Sequence, residues 1–125
     1  MKVRATKVVD IKDGAGNTQS YTLNQLKATA GNKFLKKLQR ILLPVWAEIS
    51  SKGEIDQEVI MLVSDKITEL DEKDIQDLVC ESISMRPDTF DIEFAGNYVG
   101  LFELVKEIVM FNYADVFSHL GLGES

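Results

Sequence analysis

The sequence of 125 residues has little cysteine, histidine or proline, and it has no long hydrophobic run. Cys80 is the only cysteine, which excludes an intrachain disulfide, and with His119 as the only histidine the chain lacks the common zinc ligand sets. No apolar run approaches the ~20 residues that a membrane-spanning helix needs. The start of the sequence, Met1-Lys2-Val3-Arg4, leads into a charged segment and does not predict a signal peptide. We therefore expect the protein to stay in the cytoplasm where it is made.

Motifs of small enzymes are also missing. The sequence contains no Gly-rich phosphate loop followed by Lys and Ser or Thr, and no nucleophile elbow. A Ser-His-Asp triad would have to use His119, which we interpret as a surface histidine near a helix C-terminus. The acidic side chains that follow Asp71 are interpreted as ordinary partners of helix N-termini that face water, and not as metal ligands: Glu72, Asp74, Asp77 and Glu81. The sequence predicts a protein that is not an enzyme, with no cofactor and no metal.

Charge is distributed unevenly along the chain. Nine Lys or Arg and two acidic residues up to Val45 give a net of +7, and five Lys or Arg and eighteen acidic residues after it give −13, which sum to the net charge of −6. The two halves either attract each other within the fold or provide separate contact surfaces for partners of opposite charge. The net acidity disfavours a dedicated nucleic-acid binder.

The pattern of residues predicts a mainly α fold: a single domain of about four to five helices, with an N-terminal β-hairpin arm at 1–23 and a helical core at 24–120. A β-branched run at 2–12, a turn at 13–17 rich in Gly, Asp and Asn, and a second strand at 19–23 predict the hairpin. Thr22-Leu23-Asn24-Gln25 has the form of a capping box, so we expect the first helix to begin near Leu23.

The helices that follow are placed by their apolar periodicity. We expect Gly31-Asn32 to interrupt or bend the first helix, and Pro44 to kink or restart it. Residues 50–53 are expected to form a loop, Asp56 and Asp71 are predicted N-caps, and residues 85–88 should end the helix that Asp71 begins. The alternation of Phe90, Ile92 and Phe94 with acidic residues in 88–94 predicts a short strand or extended arm.

The stretch from Phe94 to Gly121 is the most apolar part of the chain. Its large side chains recur at three- and four-residue steps but cover most of the helical circumference, so the helix needs neighbours on several sides. Two interpretations stay open: a central core helix, or a helix with part of its surface kept for a partner. Gly121 is placed to end it.

Residues 94–117 also carry a resemblance to a known family. The segment reads Phe94-Ala95-Gly96-Asn97-Tyr98, then Leu101-Phe102, and closes with Phe111-Asn112-Tyr113-Ala114-Asp115-Val116-Phe117. With the hairpin, the basic helix and the acidic middle before it, it resembles the tail assembly chaperones of long-tailed bacteriophages, whose last helix ends in an Asn-aromatic pattern of this kind.

The resemblance implies a non-enzymatic viral protein of the host cytoplasm that binds the tape measure protein, keeps it soluble and helps recruit tail tube subunits. Partner contacts would then involve the aromatic residues of the last helix: Tyr98, Phe102, Phe111, Tyr113 and Phe117. For each of them the alternative is that it fills the protein's own core. The sequence leaves self-association open, and it predicts no membrane contact.

An alternative function is that of a small DNA-binding regulatory protein. It would use the basic face of the first long helix, formed by Lys33, Lys36, Lys37 and Arg40. Four cations without interleaved aromatic residues are more typical of a solvated helix face, so nucleic acid is the less favoured partner.

Overall fold

The computed structural model describes residues 4–52 and 56–119, and within them it leaves out the side chains of residues 50 and 117–119. The expected end of the last helix at Gly121 lies outside these residues. The described chain is mainly helical with an N-terminal antiparallel β-hairpin, which confirms the predicted fold class. Within residues 4–52 and 56–119, four α-helices have more than ten residues and two further α-helices are short.

The hairpin consists of β1 (Thr6–Lys12) and β2 (Thr18–Asn24). They pair in a register that places Val9 opposite Tyr21 and Ile11 opposite Gln19. Val9 and Ile11 are buried, so alternate residues of β1 face the core, as period-2 patterning requires. The turn between the strands depends on Asp13, whose Oδ1 accepts hydrogen bonds from the backbone N–H groups of residues 15 and 17, both at 2.9 Å. The predicted hairpin is confirmed.

The predicted capping box at residues 22–25 is wrong. Thr22 and Leu23 belong to β2, where Leu23 is fully buried, and the first helix, α1, spans Ala28–Leu42. The Gln25 side chain does not bond its own helix; its Oε1 accepts from the backbone N–H of Ala5 at 2.9 Å and so continues the hairpin. Burial of Leu23 and strand pairing outweigh the local capping signal, because a capping box contributes only about 1 kcal/mol.

The helix α1 runs through Gly31-Asn32 without the interruption that the sequence predicted. Gly31 lies in its first turn, where its N–H donates to the Lys27 carbonyl at 2.7 Å, so the helix begins just before the glycine and is not broken by it. Pro44 does restart the helix as predicted: a 3-10 turn at Leu43–Val45 is followed by α2 (Trp46–Ser51). The expected loop at residues 50–53 is wrong for its first two residues, which complete α2.

Both predicted caps stand at helix starts, but only one caps through its side chain. Asp56 precedes α3 (Gln57–Ile67) and accepts a hydrogen bond from the Val59 N–H at 2.9 Å. Asp71 precedes α4 (Glu72–Ile83) in extended geometry and makes no such bond. The helix α4 ends at Ser84, which adopts a left-handed conformation (φ 55°).

The expected strand at residues 88–94 is wrong, because the chain forms a helix, α5 (Pro87–Glu93). Phe90 and Phe94 are both buried and their rings lie 5.2 Å apart between centroids, as residues four apart on one helix face can be. Ile92 is 80% exposed, on the other side. Pro87 at the first helical position fits the helix start, since its missing N–H is not needed there.

The last helix, α6 (Tyr98–His119), passes through the centre of the described structure. Its middle residues Leu104, Val105, Ile108 and Val109 are fully buried, and β1, α3 and α4 all pack against it. Buried side chains from the hairpin and the helices form one hydrophobic cluster. The central core helix that the sequence offered as one interpretation is therefore present along the middle of α6; that the chain is a single domain stays a prediction.

Candidate partner-binding site

The N-terminal end of α6 leaves large apolar side chains in solvent. Tyr98 is 64% exposed and Val99 59%, while Phe102, one turn further on, is half-buried against the core. Asn97 sets the start of this helix: its Oδ1 accepts from the Gly100 N–H at 3.1 Å. Of the five aromatic residues that the sequence singled out, Tyr98 is the most accessible of those whose side chains are described.

The C-terminal half of α6 places its aromatic residues differently. Phe111 is half-buried, Tyr113 is only 5% exposed, and the side chain of Phe117 lies outside the described residues. Tyr98 and Tyr113 are fifteen positions apart on one helix, a separation of about 22 Å along the axis. The structure therefore does not gather the predicted aromatic residues into one patch, and their role in binding a partner stays a prediction.

Asn112 and Tyr113, in the middle of the Asn-aromatic pattern, fasten α6 to the start of α1. The Asn112 Oδ1 accepts from the Leu26 N–H at 2.9 Å, and its Nδ2 donates to the Ile108 carbonyl at the same distance. The Tyr113 hydroxyl donates to the Gly31 carbonyl at 2.7 Å, and burial raises the pKa of this phenol above its usual value. The Tyr113 ring also stacks on Phe34 of α1, with 6.1 Å between ring centroids. These contacts agree with the core alternative for Tyr113.

The basic face of α1 is only partly free for a partner. Lys33, Lys36 and Arg40 are exposed, but Lys37 is half-buried and forms an ion pair with Asp74 of α4. Attraction between the basic and acidic halves of the chain thus occurs within the fold at this point. Three exposed cations on one helix face are typical of a solvated surface, and their role in nucleic-acid binding stays a prediction.

A groove between α1 and α4 was not predicted from the sequence. It has a volume of about 400 Å³, its floor includes the apolar side chains of Phe34, Leu78 and Met85, and its walls carry charged groups of both signs: Lys33, Lys37, Asp74, Asp77 and Glu81. We expected the acidic residues of α4 simply to face water. Their spacing of three and four residues beside Leu78 was the signal that could have placed them along one edge of a groove.

Glu81 is the unusual group in what we call the α1–α4 groove. Within the described part of the chain its Oε1 is shielded from solvent and has no hydrogen-bond donor. Among the described residues it forms an ion pair with Arg4, whose Nη1 lies 3.9 Å away and also donates to the Gln25 carbonyl at 2.9 Å; the Glu81 side chain as a whole is 31% exposed. Cys80 also lies at the groove, where burial, and then the charge of Asp77, raise the pKa of its thiol.

Neither a metal centre nor a membrane span is evident in the described residues. No group of three His, Cys, Asp or Glu side chains in 4–52 and 56–119 could hold a metal ion. No described helix has the length and apolar character needed to cross a bilayer.

Fold and surface together define a class of protein: a small, mainly helical protein with an exposed apolar helix end and a charged groove, features that suit contact with other proteins. A family model described as phage tail assembly chaperone protein, TAC, matches residues 16–123, which is most of the chain. The chain therefore belongs to the phage tail assembly chaperone family, as its resemblance in residues 94–117 indicated. Comparison with curated proteins found no match, and comparison with solved structures found none either.

Proposed function

We propose that this chain binds the tape measure protein of its phage, keeps that protein soluble in the host cytoplasm and helps recruit tail tube subunits around it. The observation that carries the proposal is membership of the tail assembly chaperone family over residues 16–123. A chaperone of this kind acts by binding, so the proposal assigns no catalytic residue and no cofactor.

The exposed surface supports a binding role at the start of α6. Tyr98 and Val99 keep more than half of their surface in water, although burying an apolar side chain is favourable by about 1.5–3 kcal/mol. Phe102 lies one turn away with part of its ring accessible. A partner helix packed here would bury the exposed part of all three side chains, and tape measure proteins, as long helical polymers, could supply such a helix.

The test is co-expression of this chain with the tape measure protein encoded in the same phage genome. We expect the tape measure protein to be recovered in the soluble fraction and to co-purify with this chain. A tape measure protein that stays insoluble and unbound would contradict the proposal. Salt-sensitive retention of this chain on DNA, with no such binding, would instead support the regulator that uses Lys33, Lys36, Lys37 and Arg40.

A matched pair of variants tests whether the tape measure protein contacts the start of α6. Tyr98→Ser should weaken co-purification of the tape measure protein because it removes an exposed aromatic ring, while leaving the fold intact. Met61→Ser is the control, since Met61 is equally exposed, at 64%, on α3. Equal binding by the two variants would place the contact away from the start of α6.

A further inference from the structure

The outer edge of β1 carries backbone groups that the fold leaves unpaired. We propose that this edge is the contact surface of a symmetric dimer, in which the β1 strands of two copies of the chain pair antiparallel about a two-fold axis at Val8. The two hairpins then form one four-stranded sheet. The inference concerns self-association and does not depend on the proposed function.

Alternate residues of β1 direct their backbone groups away from β2. At the turn, the Asp13 N–H donates to the Asn17 carbonyl at 2.9 Å. At the other end, the Gln25 N–H donates to the Ala5 carbonyl at 3.0 Å, so the odd-numbered residues of β1 form the hydrogen-bonded pairs with β2. Among the residues that the structure describes, no hydrogen bond reaches the outward backbone groups of the even-numbered ones: Thr6, Val8, Asp10 and Lys12.

The outer edge of β2, in contrast, is in contact with α4 at one end. The Asn24 Nδ2 donates to the Ser82 carbonyl at 2.9 Å, and the Ser82 Oγ donates to the Asn24 carbonyl at 3.4 Å. This carbonyl is one of the outward groups of β2, so a strand added along β2 would have to displace the contact. All four outward residues of β1 are exposed. The open edge of the sheet is therefore that of β1.

The strand β1 has few of the features that protect an edge strand from pairing. Its seven residues include no proline or glycine, and its register with β2 has no bulge. Lys7 and Lys12 lie near its two ends, and Val8, toward the middle of its solvent face, is 65% exposed. An extended strand added here would gain a ladder of main-chain hydrogen bonds and cover this valine.

The sequence of β1 is complementary to itself in one antiparallel register, which is why a second copy fits the edge. With the axis at Val8, the two Val8 side chains pack on each other, and Asp10 lies opposite Thr6 of the second copy. The Asp10 Oδ1 already accepts from the Ser20 hydroxyl at 2.6 Å, and its other oxygen can accept from the Thr6 hydroxyl. Each opposed pair in this register exchanges both of its backbone hydrogen bonds. An identical surface on both copies is what a two-fold dimer requires.

Other symmetric registers use the edge less well. An axis at Asp10 would place two carboxylates opposite each other, which is unfavourable. An axis at Ile11 would pair Asp10 with Lys12 but leave Val8 opposite the turn, and exposed ion pairs contribute little. In the Val8 register Lys12 faces Arg4 of the second copy, but Arg4 precedes the strand and its guanidinium is paired within its own chain.

A matched pair of proline variants tests which edge is used. Val8→Pro removes an outward N–H and places its ring where the second strand would pair, so it should convert the dimer into a monomer in sedimentation velocity. Thr22 lies opposite Val8 on β2 and also directs its N–H outward, so Thr22→Pro makes the same change at the other edge and should remain dimeric. A monomeric unchanged protein at every concentration from micromolar to millimolar would overturn the proposal, and so would the same oligomeric state in both variants.

Cysteine cross-linking tests the register and does not require a proline variant to fold. In the Val8 register the two Val8 Cα atoms lie about 5.5 Å apart, a distance that a disulfide spans. In a Cys80→Ala background, Val8→Cys should therefore run as a cross-linked dimer on a non-reducing gel after mild oxidation. Asp10→Cys is the control, because its two Cα atoms would be about 14 Å apart and should not cross-link. Equal cross-linking by the two variants, or none by Val8→Cys, would overturn the proposal.

Discussion

Tyr113 offers a sharp test of how α6 is fixed in place. Its hydroxyl donates to the Gly31 carbonyl at 2.7 Å, and its side chain is almost fully buried. Tyr113→Phe keeps the ring stacked on Phe34 and removes only this hydrogen bond. The Gly31 carbonyl lies inside α1 and keeps its regular helical donor, so the loss should be about 1 kcal/mol at neutral pH. For a chain of this length that lowers the melting temperature by about 3–5 °C.

The same residue should make stability fall at alkaline pH. Burial raises the pKa of Tyr113 above its usual value of 10.0, so the folded protein holds the phenol neutral while the unfolded chain ionises it. The stability that this group contributes is complete below about pH 10 and is lost as pH rises toward the folded pKa. At pH 11 the loss amounts to about 1.4 kcal/mol, which exceeds the contribution of the hydrogen bond. We therefore expect Tyr113→Phe to be less stable than the unchanged protein at pH 8 and at least as stable at pH 11.

Urea unfolding followed by circular dichroism at pH 8, 9, 10 and 11 measures whether the order of stability of Tyr113→Phe and the unchanged protein reverses. Tyr98→Phe is the control: Tyr98 is 64% exposed, so its variant should remain within about 0.5 kcal/mol of the unchanged protein over the series. If the difference between Tyr113→Phe and the unchanged protein is the same at pH 8 and pH 11, Tyr113 is not held neutral by burial and the reasoning is refuted.

Two further predictions concern a helix cap and the half-buried ring in α6. Asp56→Ala should lower the free energy of unfolding by about 1 kcal/mol because it removes the acceptor of the Val59 N–H, whereas Asp71→Ala, without such a bond, should cost less; equal losses in urea titrations would contradict the cap assignment. Phe102→Asp should lower the free energy of unfolding by about 3 kcal/mol, because most of the ring packs against the core, and should weaken binding of the tape measure protein. A melting curve and a binding isotherm of Phe102→Asp that both match those of the unchanged protein would contradict this second prediction.

The elements that the sequence predicted well are those in which one periodic pattern agreed with its start and stop signals. The hairpin has β-branched residues on both sides of a turn rich in Asp and Gly, and Asp13 and Gly16 occupy that turn in the structure. Asp56 was predicted as a cap and serves as one. In both cases the local signal and the direction of burial lead to the same structure, so no distant contact has to be known.

Two of the errors arose where a local pattern fitted two structures equally well. Phe90 and Phe94 are four residues apart, a spacing that places them on one face of a strand and equally on one face of a helix. The exposure of Ile92, which lies between them, distinguishes the two structures. A strand would place all three side chains on the buried face, whereas the helix leaves Ile92 in water. Residues 22–25 have the sequence of a capping box, but Leu23 is fully buried in the core, and the Gln25 side chain accepts a hydrogen bond from the Ala5 N–H at the end of the hairpin. Pairing partners distant in sequence cannot be identified from a four-residue motif.

The Asn-aromatic pattern that indicated the family has a structural use in this chain. Asn97 starts α6, and Asn112 and Tyr113 bond the segment around the beginning of α1, so the two ends of the pattern fix the position of one long helix. In this chain the pattern therefore has a structural role, because it fixes α6 against the start of α1. It also implies that residues for partner contact should be sought beside the pattern as well as within it.

The α1–α4 groove could not be predicted because its two walls come from residues about forty positions apart. Each wall taken alone is an ordinary helix surface: lysines on α1 and carboxylates on α4. Once the helices are packed, the Lys37–Asp74 ion pair uses one charge from each wall. Part of the opposite charge of the two halves therefore joins them within the fold, which is the first of the two alternatives that the sequence left open.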